Sequence, residues 1–243
     1  MLHATNLIGF GAGGGVGNDQ YTKILLHFDG TSGSTLIADS NINVARVWTN
    51  SGAVLSSAQS KFGTTSVYLN NLQYPNLPYT ISPPPASSGI VWGTQDFTID
   101  FWLYPVTGNG YALAWHGDGG SFATTAFVLS LDLSNRIRMT LSNGAVALCD
   151  YTSSAALSPG TWSHVAVVRS GATVVTYIGG IAYGSASIGG GSVVSPSAAY
   201  PYYIGPRGSA LDFTANCFMD EHRLSIGIAR WTSNFTPPSE PYD

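Results

Sequence analysis

Three groups of residues have the types and spacing that chemistry requires. The first is centred on Asp220, within Cys217-Phe218-Met219-Asp220-Glu221-His222-Arg223-Leu224-Ser225-Ile226. In an extended strand Phe218, Asp220, His222 and Leu224 share one face, and Met219, Glu221, Arg223 and Ser225 the other. A carboxylate among apolar neighbours needs either a hydrogen-bonding network or a metal ion, because an unpaired buried charge costs several kcal/mol. The second group is the loop Trp115-His116-Gly117-Asp118-Gly119-Gly120-Ser121-Phe122. It has the composition of a glycan platform, with aromatic rings beside a carboxylate, and Trp115, His116 and Asp118 are its candidate contacts. The third is Asp29, which precedes Gly30 and can cap the turn there.

Hydrolytic chemistry finds little to work with. Glycoside hydrolysis needs two carboxylates facing one cleft, about 5 to 9.5 Å apart. The chain has two glutamates, Glu221 and Glu240, one of them in the tail, and Asp100 stands alone on its strand. Ser163 and His164 are neighbours in a strand and point to opposite faces. His27 and His222, in the first and last strands, can pack against each other as structural residues. Cys149 and Cys217 are too far apart for a metal-ligand pair motif. Two buried thiols and a single bridge both remain open for them. The expectation is a protein that is not an enzyme.

The elements that must position these groups are strands. Phe97, Ile99, Phe101 and Leu103 alternate with Thr98, Asp100, Trp102 and Tyr104, the clearest two-residue period in the chain. Further strands are expected over Lys23 to Phe28, Val44 to Trp48, Ser66 to Asn70, Tyr111 to Trp115 and Phe127 to Leu133. They continue over Arg136 to Leu141, Val146 to Tyr151, Trp162 to Arg169, Thr173 to Ile178, Ile181 to Tyr183 and Tyr202 to Gly205. Ser134-Asn135, Ser142-Asn143-Gly144 and Ser170-Gly171 supply turns. Leu77 to Ser82 leads into Pro83-Pro84-Pro85, which marks a long loop. No helical periodicity of useful length appears. A dozen or more short strands at this spacing predict an all-β, two-sheet antiparallel sandwich of jelly-roll type.

Composition narrows the setting. The chain has 243 residues, 44% of them hydrophobic, enough for the core of one large domain. Charged residues make up 9% and the net charge is −4, with nine Lys plus Arg, so there is no basic stripe for nucleic acid and no basic cluster for anionic membranes. No apolar run approaches the ~20 residues of a membrane span, and no secretory signal is seen. Residues 1 to 20 read as a glycine-rich arm, with Phe10 and Val16 as its apolar anchors for assembly, and 21 to 243 as the folded domain.

The closing stretch carries a resemblance. Met219-Asp220-Glu221-His222-Arg223-Leu224-Ser225, with Gly227-Ile228-Ala229-Arg230-Trp231-Thr232 and Asn234-Phe235-Thr236-Pro237-Pro238, resembles the end of laminin-G-like, concanavalin A-like lectin/glucanase jelly rolls, in the form common in tailed-bacteriophage virion proteins. Leu25-Leu26-His27-Phe28-Asp29-Gly30, Gln59-Ser60-Lys61-Phe62-Gly63 with Ser66-Val67-Tyr68-Leu69, Asp96-Phe97-Thr98-Ile99-Asp100-Phe101-Trp102, and Thr161-Trp162-Ser163-His164-Val165 with Tyr177-Ile178-Gly179-Gly180 match in the expected order. The resemblance implies a structural virion subunit (decoration, fibre or tail appendage) at the virion surface, outside the cell. Its partners would be other virion proteins and copies of itself, with the arm docked on a neighbour. A carbohydrate-binding module for host or environmental glycans is the alternative. Glycanases of this fold carry two glutamates flanking an aspartate along one strand, a pattern this chain lacks. Calcium-binding members imply a Ca²⁺ site at Asp29 and Asp220, brought together by adjacent terminal strands, with Asp39 as an optional third ligand.

Overall fold

Alternation decides the architecture. Phe97, Ile99, Phe101 and Leu103 enter the main core, while Asp100 and Trp102 face the other way, Asp100 onto Tyr242 of the C-terminal tail and Trp102 onto His164 and Phe62. A computed structural model describes residues 17–43, 48–50, 52–70, 81–82, 90–106, 110–118, 121–197, 199–205 and 216–243. The expected arm anchors Phe10 and Val16, most of the strand expected over Val44 to Trp48, and the triple proline lie outside the described residues.

The first strands are β1 (Thr22–Leu26), β2 (Thr49–Asn50), β3 (Val54–Ser56), β4 (Ser66–Asn70) and β5 (Ile81–Ser82). The centre of the chain supplies β6 (Phe97–Pro105), β7 (Tyr111–His116), β8 (Phe127–Leu131), β9 (Arg136–Ser142) and β10 (Ala147–Ala156). Last come β11 (Ser163–Ser170), β12 (Thr173–Ile178), β13 (Ile181–Ser187), β14 (Tyr202–Ile204) and β15 (Asn216–Ile226). Among the described residues there is no helix. Eight strands form one sheet in the order β13-β12-β11-β6-β15-β4-β3, with β1 also paired to β15; seven form the other, β10-β9-β8-β7-β14-β5-β2. All pairings are antiparallel. This is the expected jelly-roll sandwich. Its core lies between the sheets, where Leu26, Ile99, Phe101, Leu129, Val165 and Met219 are fully buried.

The last strand departs from simple alternation. β15 pairs with β4 through Asn216–Met219 and with β1 through His222–Ser225, and its register against β6 shifts between Asp220 and Arg223. The extra residue is a β-bulge, with Glu221 in the left-handed region at φ 52°. Cys217 and Met219 face the core before the bulge; Leu224 and Ile226 face it after. Asp220 therefore does not share a face with Leu224, as a regular strand requires. It points to the outer side of the eight-stranded sheet, the same side as Arg223. Phe28 is a second departure: its φ of 56° ends β1 at Leu26, two residues short of expectation.

The tail after β15 closes the molecule. Trp231 and Phe235 stack with ring centroids 4.0 Å apart and both meet His164 edge-on. They cover Ala166, Val168 and Tyr177 as a second, smaller core on the outer face of the eight-stranded sheet. The Phe235 amide donates to the Gly180 carbonyl, and the Gly17 and Asn18 amides donate to the Asp243 carbonyl.

Candidate functional site

The two sheets have opposite outer faces. That of the eight-stranded sheet is covered by the tail over Asp100, while a cavity of about 350 Å³ opens beside the tail over β12 and β13. Asp100 on β6 receives Arg223 Nε at 3.0 Å and Nη2 at 2.9 Å, while the Tyr242 hydroxyl donates to the same carboxylate. His164 Nε2 lies 3.1 Å from that hydroxyl, and Arg223 sits 3.9 Å from the Tyr242 ring centroid. Burial alone raises the Asp100 carboxyl, but the Arg223 guanidinium and His164 outweigh it and hold the group well below the usual carboxylate range. The cluster joins a carboxylate, an imidazole and a guanidinium, yet all are buried beneath the tail. It is a structural network that closes on itself except at His164 Nδ1, which is buried without a hydrogen-bond partner among the described residues.

Asp29 and Asp220 come into one neighbourhood, since both act electrostatically on His27. The loop between β3 and β4 serves them both. Lys61 and Phe62 amides donate to Asp220 Oδ2 at 2.8 and 3.2 Å, and the Thr64 amide donates to Asp29 Oδ1 at 2.8 Å. The Glu221 amide donates to Asp220 Oδ1 at 3.0 Å. Asp39 accepts from the Leu25 and Asn41 amides and the Trp48 indole. Among the described residues no group of three or more His, Cys, Asp or Glu side chains could hold a metal ion. Calcium needs six to eight oxygen ligands, and here N–H groups point at the carboxylates instead. The residues do not fit the ion: a peptide loop holds the two carboxylates that the resemblance assigns to calcium. Nor do His27 and His222 pair. His27 Nδ1 meets Glu221 at 2.9 Å, and His222 Nε2 meets the Tyr202 hydroxyl at 3.0 Å.

Among the described residues, the outer face of the seven-stranded sheet is exposed over β8 to β10 and covered at Trp115. Strand register aligns Tyr203, Trp115, Val128, Thr140 and Asp150 in one cross-strand row, and Ala112, Ser130, Arg138 and Thr152 in the next. Small Ala112 and Ser130 leave room beside Val128 and Thr140, and the result is a cavity of about 310 Å³ flanked by Arg138 and Asp150. These two make a bidentate pair, Nε–Oδ1 2.8 Å and Nη2–Oδ2 2.5 Å, with Thr140 Oγ1 donating to Oδ1 at 3.2 Å. The hydrogen bonds from Arg138 hold the Asp150 carboxyl below its usual range. Arg138 is 52% exposed and Asp150 40%.

Phe122, 45% exposed, forms one wall of this cavity. Asp118 fixes its loop by accepting from the Ser121 amide and the Thr125 hydroxyl, and Ser142 Oγ donates to the Phe122 carbonyl. The exposed ring of this loop is Phe122, and not Trp115 or His116, where a platform was expected. Trp115 is 5% exposed, stacked on Tyr203 at 3.9 Å. His116 is fully buried, accepting from the Trp92 indole at Nδ1 and meeting the Tyr200 carbonyl at Nε2. Neither ring has a face open to a sugar. Asp118 acts on the site through the loop that it pins. Arg138, Thr140 and Asp150 escaped sequence reading because they become neighbours only through the β8–β9–β10 register. The alternation of exposed Arg136 and Arg138 with buried Ile137 and Met139 was the one local signal.

A laminin G family model, described as the concanavalin A-like lectin/glucanases superfamily, matches residues 80–225, more than half of the chain. No curated protein matches. Among solved structures, the chain is similar to domain 4 of AbnA, a GH43 extracellular arabinanase from Geobacillus stearothermophilus solved with arabinotriose. The TM-score is 0.59 at 18% identity, covering 86% of this chain and 93% of that one. It is also similar to the binding domain of botulinum neurotoxin DC, solved with SialylT (TM-score 0.59, 12% identity) and with rat synaptotagmin II (TM-score 0.60, 11% identity). Those alignments cover 85% and 84% of this chain but 48% of the toxin domain, so the chain spans about half of that relative's length. At these identities the likeness is one of fold.

Proposed function

Because the chain belongs to the concanavalin A-like lectin/glucanase superfamily, we propose that it is a non-catalytic carbohydrate-binding jelly roll that takes sugar on the outer face of its seven-stranded sheet. The observation that carries this reading is the contrast between the two faces. One is largely covered by the chain's own tail, and the cavity beside that tail has no charged residue among the described residues of its lining; the other has a cavity of about 310 Å³ combining an exposed ring, small hydroxyl-bearing residues and one donor–acceptor pair. Sugar sites need that mixture, an apolar wall with a few well-placed polar groups. A hydrolytic site needs two carboxylates across the cleft, and Asp150 is the one carboxylate among the residues lining this cavity. The arabinanase domain solved with arabinotriose supports the reading by precedent of fold alone. A glycan array tests it. Saturable binding to one glycan class that Phe122→Ala or Arg138→Ala abolishes is expected; binding that both variants leave intact overturns it.

The chain's setting is a second reading, favoured by the four runs that match tailed-bacteriophage virion proteins in order. In it the domain is a structural subunit at the virion surface, and the part of the expected arm before Gly17 contacts a neighbouring subunit, since Gly17, Asn18 and Asp19 bond to the domain's own Asp243 and Arg230. Deleting residues 1 to 16 would leave the melting temperature of the domain nearly unchanged while stopping incorporation into particles. Unimpaired incorporation contradicts this role.

A further inference from the structure

The exposed pair in the cavity restricts what the site can accept. Arg138 does not meet a ligand as a bare cation: Asp150 holds its side-on edge through Nε and Nη2 and neutralises it, leaving the N–H groups of Nη1 and the second of Nη2 facing outward. Thr140 adds a third hydrogen bond to the same carboxylate. The other charged pair at this end of the sheet, Arg136 with Asp132 at 2.8 Å, is likewise neutral as a unit. A ligand carboxylate would either displace Asp150 or take the outer Nη1/Nη2 edge, and both leave two carboxylates close together around one guanidinium. Like charges that close disfavour each other strongly. The whole chain, at −4, opposes an anionic ligand as well.

The same pair suits a neutral sugar. The remaining N–H groups of Arg138 donate, and the lone pairs of Asp150 still open accept. The two groups are fixed side by side, as the adjacent hydroxyls of a sugar ring require, each being donor and acceptor at once. Phe122 supplies the apolar wall for the ring's C–H face, and Ser130 a further hydroxyl. Resting on the carbohydrate-binding reading, we propose that the site selects neutral sugars with a vicinal diol, and that Asp150 is the specificity-determining residue that rejects carboxylated sugars by neutralising Arg138 and setting a negative charge beside its remaining donors. The element that rejects the wrong ligand is then the one that holds the right one.

The test compares neutral oligosaccharides with uronate counterparts of the same linkage, titrated calorimetrically against the full chain. Wild type should bind neutral members at least tenfold more tightly than their uronates. Asp150→Asn frees the guanidinium and removes the repelling charge, so it should weaken neutral binding about tenfold and admit the uronate. Arg138→Met should lose both. Arg138 and Asp150 lie at the sheet surface, and unchanged thermal melts would show that the variants fold. A wild-type preference for uronates that Arg138→Met abolishes overturns this inference but leaves the sugar-binding reading standing. So does neutral binding that Asp150→Asn does not weaken. Absence of binding to every member, or binding indifferent to Arg138→Met, Asp150→Asn and Phe122→Ala together, overturns both.

Discussion

At the residue scale, the chain's most demanding group is Asp100, a fully buried carboxylate in a central strand. Arg223 neutralises it, and Tyr242 reaches it from the opposite end of the sequence. Tyr242→Phe keeps the ring over Arg223 but removes the hydroxyl; urea denaturation should show a loss of about 1–3 kcal/mol. Asp100→Asn strands the buried guanidinium and should cost about 3–5 kcal/mol, the larger of the two effects. Equal losses would mean that the ion pair does not dominate. None of this was legible in the sequence beyond the isolation of Asp100, because its partners lie on other strands and in the tail. Asp220 was legible as a carboxylate in need of a partner. The identity of that partner was not, since backbone amides of a loop leave no mark in residue type. If those amides hold Asp29 and Asp220, chelators should leave the melting temperature unmoved; a fall on chelation, restored by calcium, would contradict the loop's role.

At the element scale, strands with strong two-residue alternation could be read directly. Ser66–Asn70 and Thr173–Ile178 fall where the pattern puts them, and Phe97–Pro105 to within one residue. The bulge in β15 could not be read, because one inserted residue changes no composition while it reverses the facing of everything after it. The hairpin between β12 and β13 is what anchors the tail. Gly180 has φ +79°, and a Cβ there would fall 1.9 Å from the Phe235 carbonyl oxygen. Gly180→Ala should therefore cost at least about 2 kcal/mol and release the tail to limited proteolysis. Gly171→Ala, also left-handed but with nothing near its Cβ, isolates the backbone contribution and should leave the tail protected. Tail cleavage at the same rate in both variants would show that the Phe235 contact does not hold the segment.

At the scale of the whole molecule, buried ionisable groups set how stability follows pH. Burial pushes His116 down to about 4 and His222 to about 3, and lowers His164 as well. Their folded pKa values lie below the unfolded value near 6.5, so the unfolded chain binds protons first and stability falls as pH drops from about 6.5 toward 4. Asp220 opposes them: burial outweighs its backbone hydrogen bonds and pushes it up to about 7, so the folded state takes up that proton first. The protons of His116 and His222 against the one on Asp220 leave one, a slope of about 1.4 kcal/mol per pH unit near pH 5, and the lowered His164 adds to the fall. Denaturant melts from pH 7 to 4 should show this fall, and Asp220→Asn should steepen it; a flat profile would contradict the burial of the histidines as neutral groups. Among the described residues the same sandwich leaves β8 to β10 uncovered on the outer face of the seven-stranded sheet, and sugar is proposed to bind there. Backbone amide shifts of the ¹⁵N-labelled full chain, titrated with the tightest-binding oligosaccharide of the panel, test it most directly. Perturbations should cluster at Val128, Ser130, Arg138, Thr140, Asp150 and the 121–125 loop. Perturbations gathered instead on the β3–β4 loop, on β11 to β13 or on the tail would contradict it.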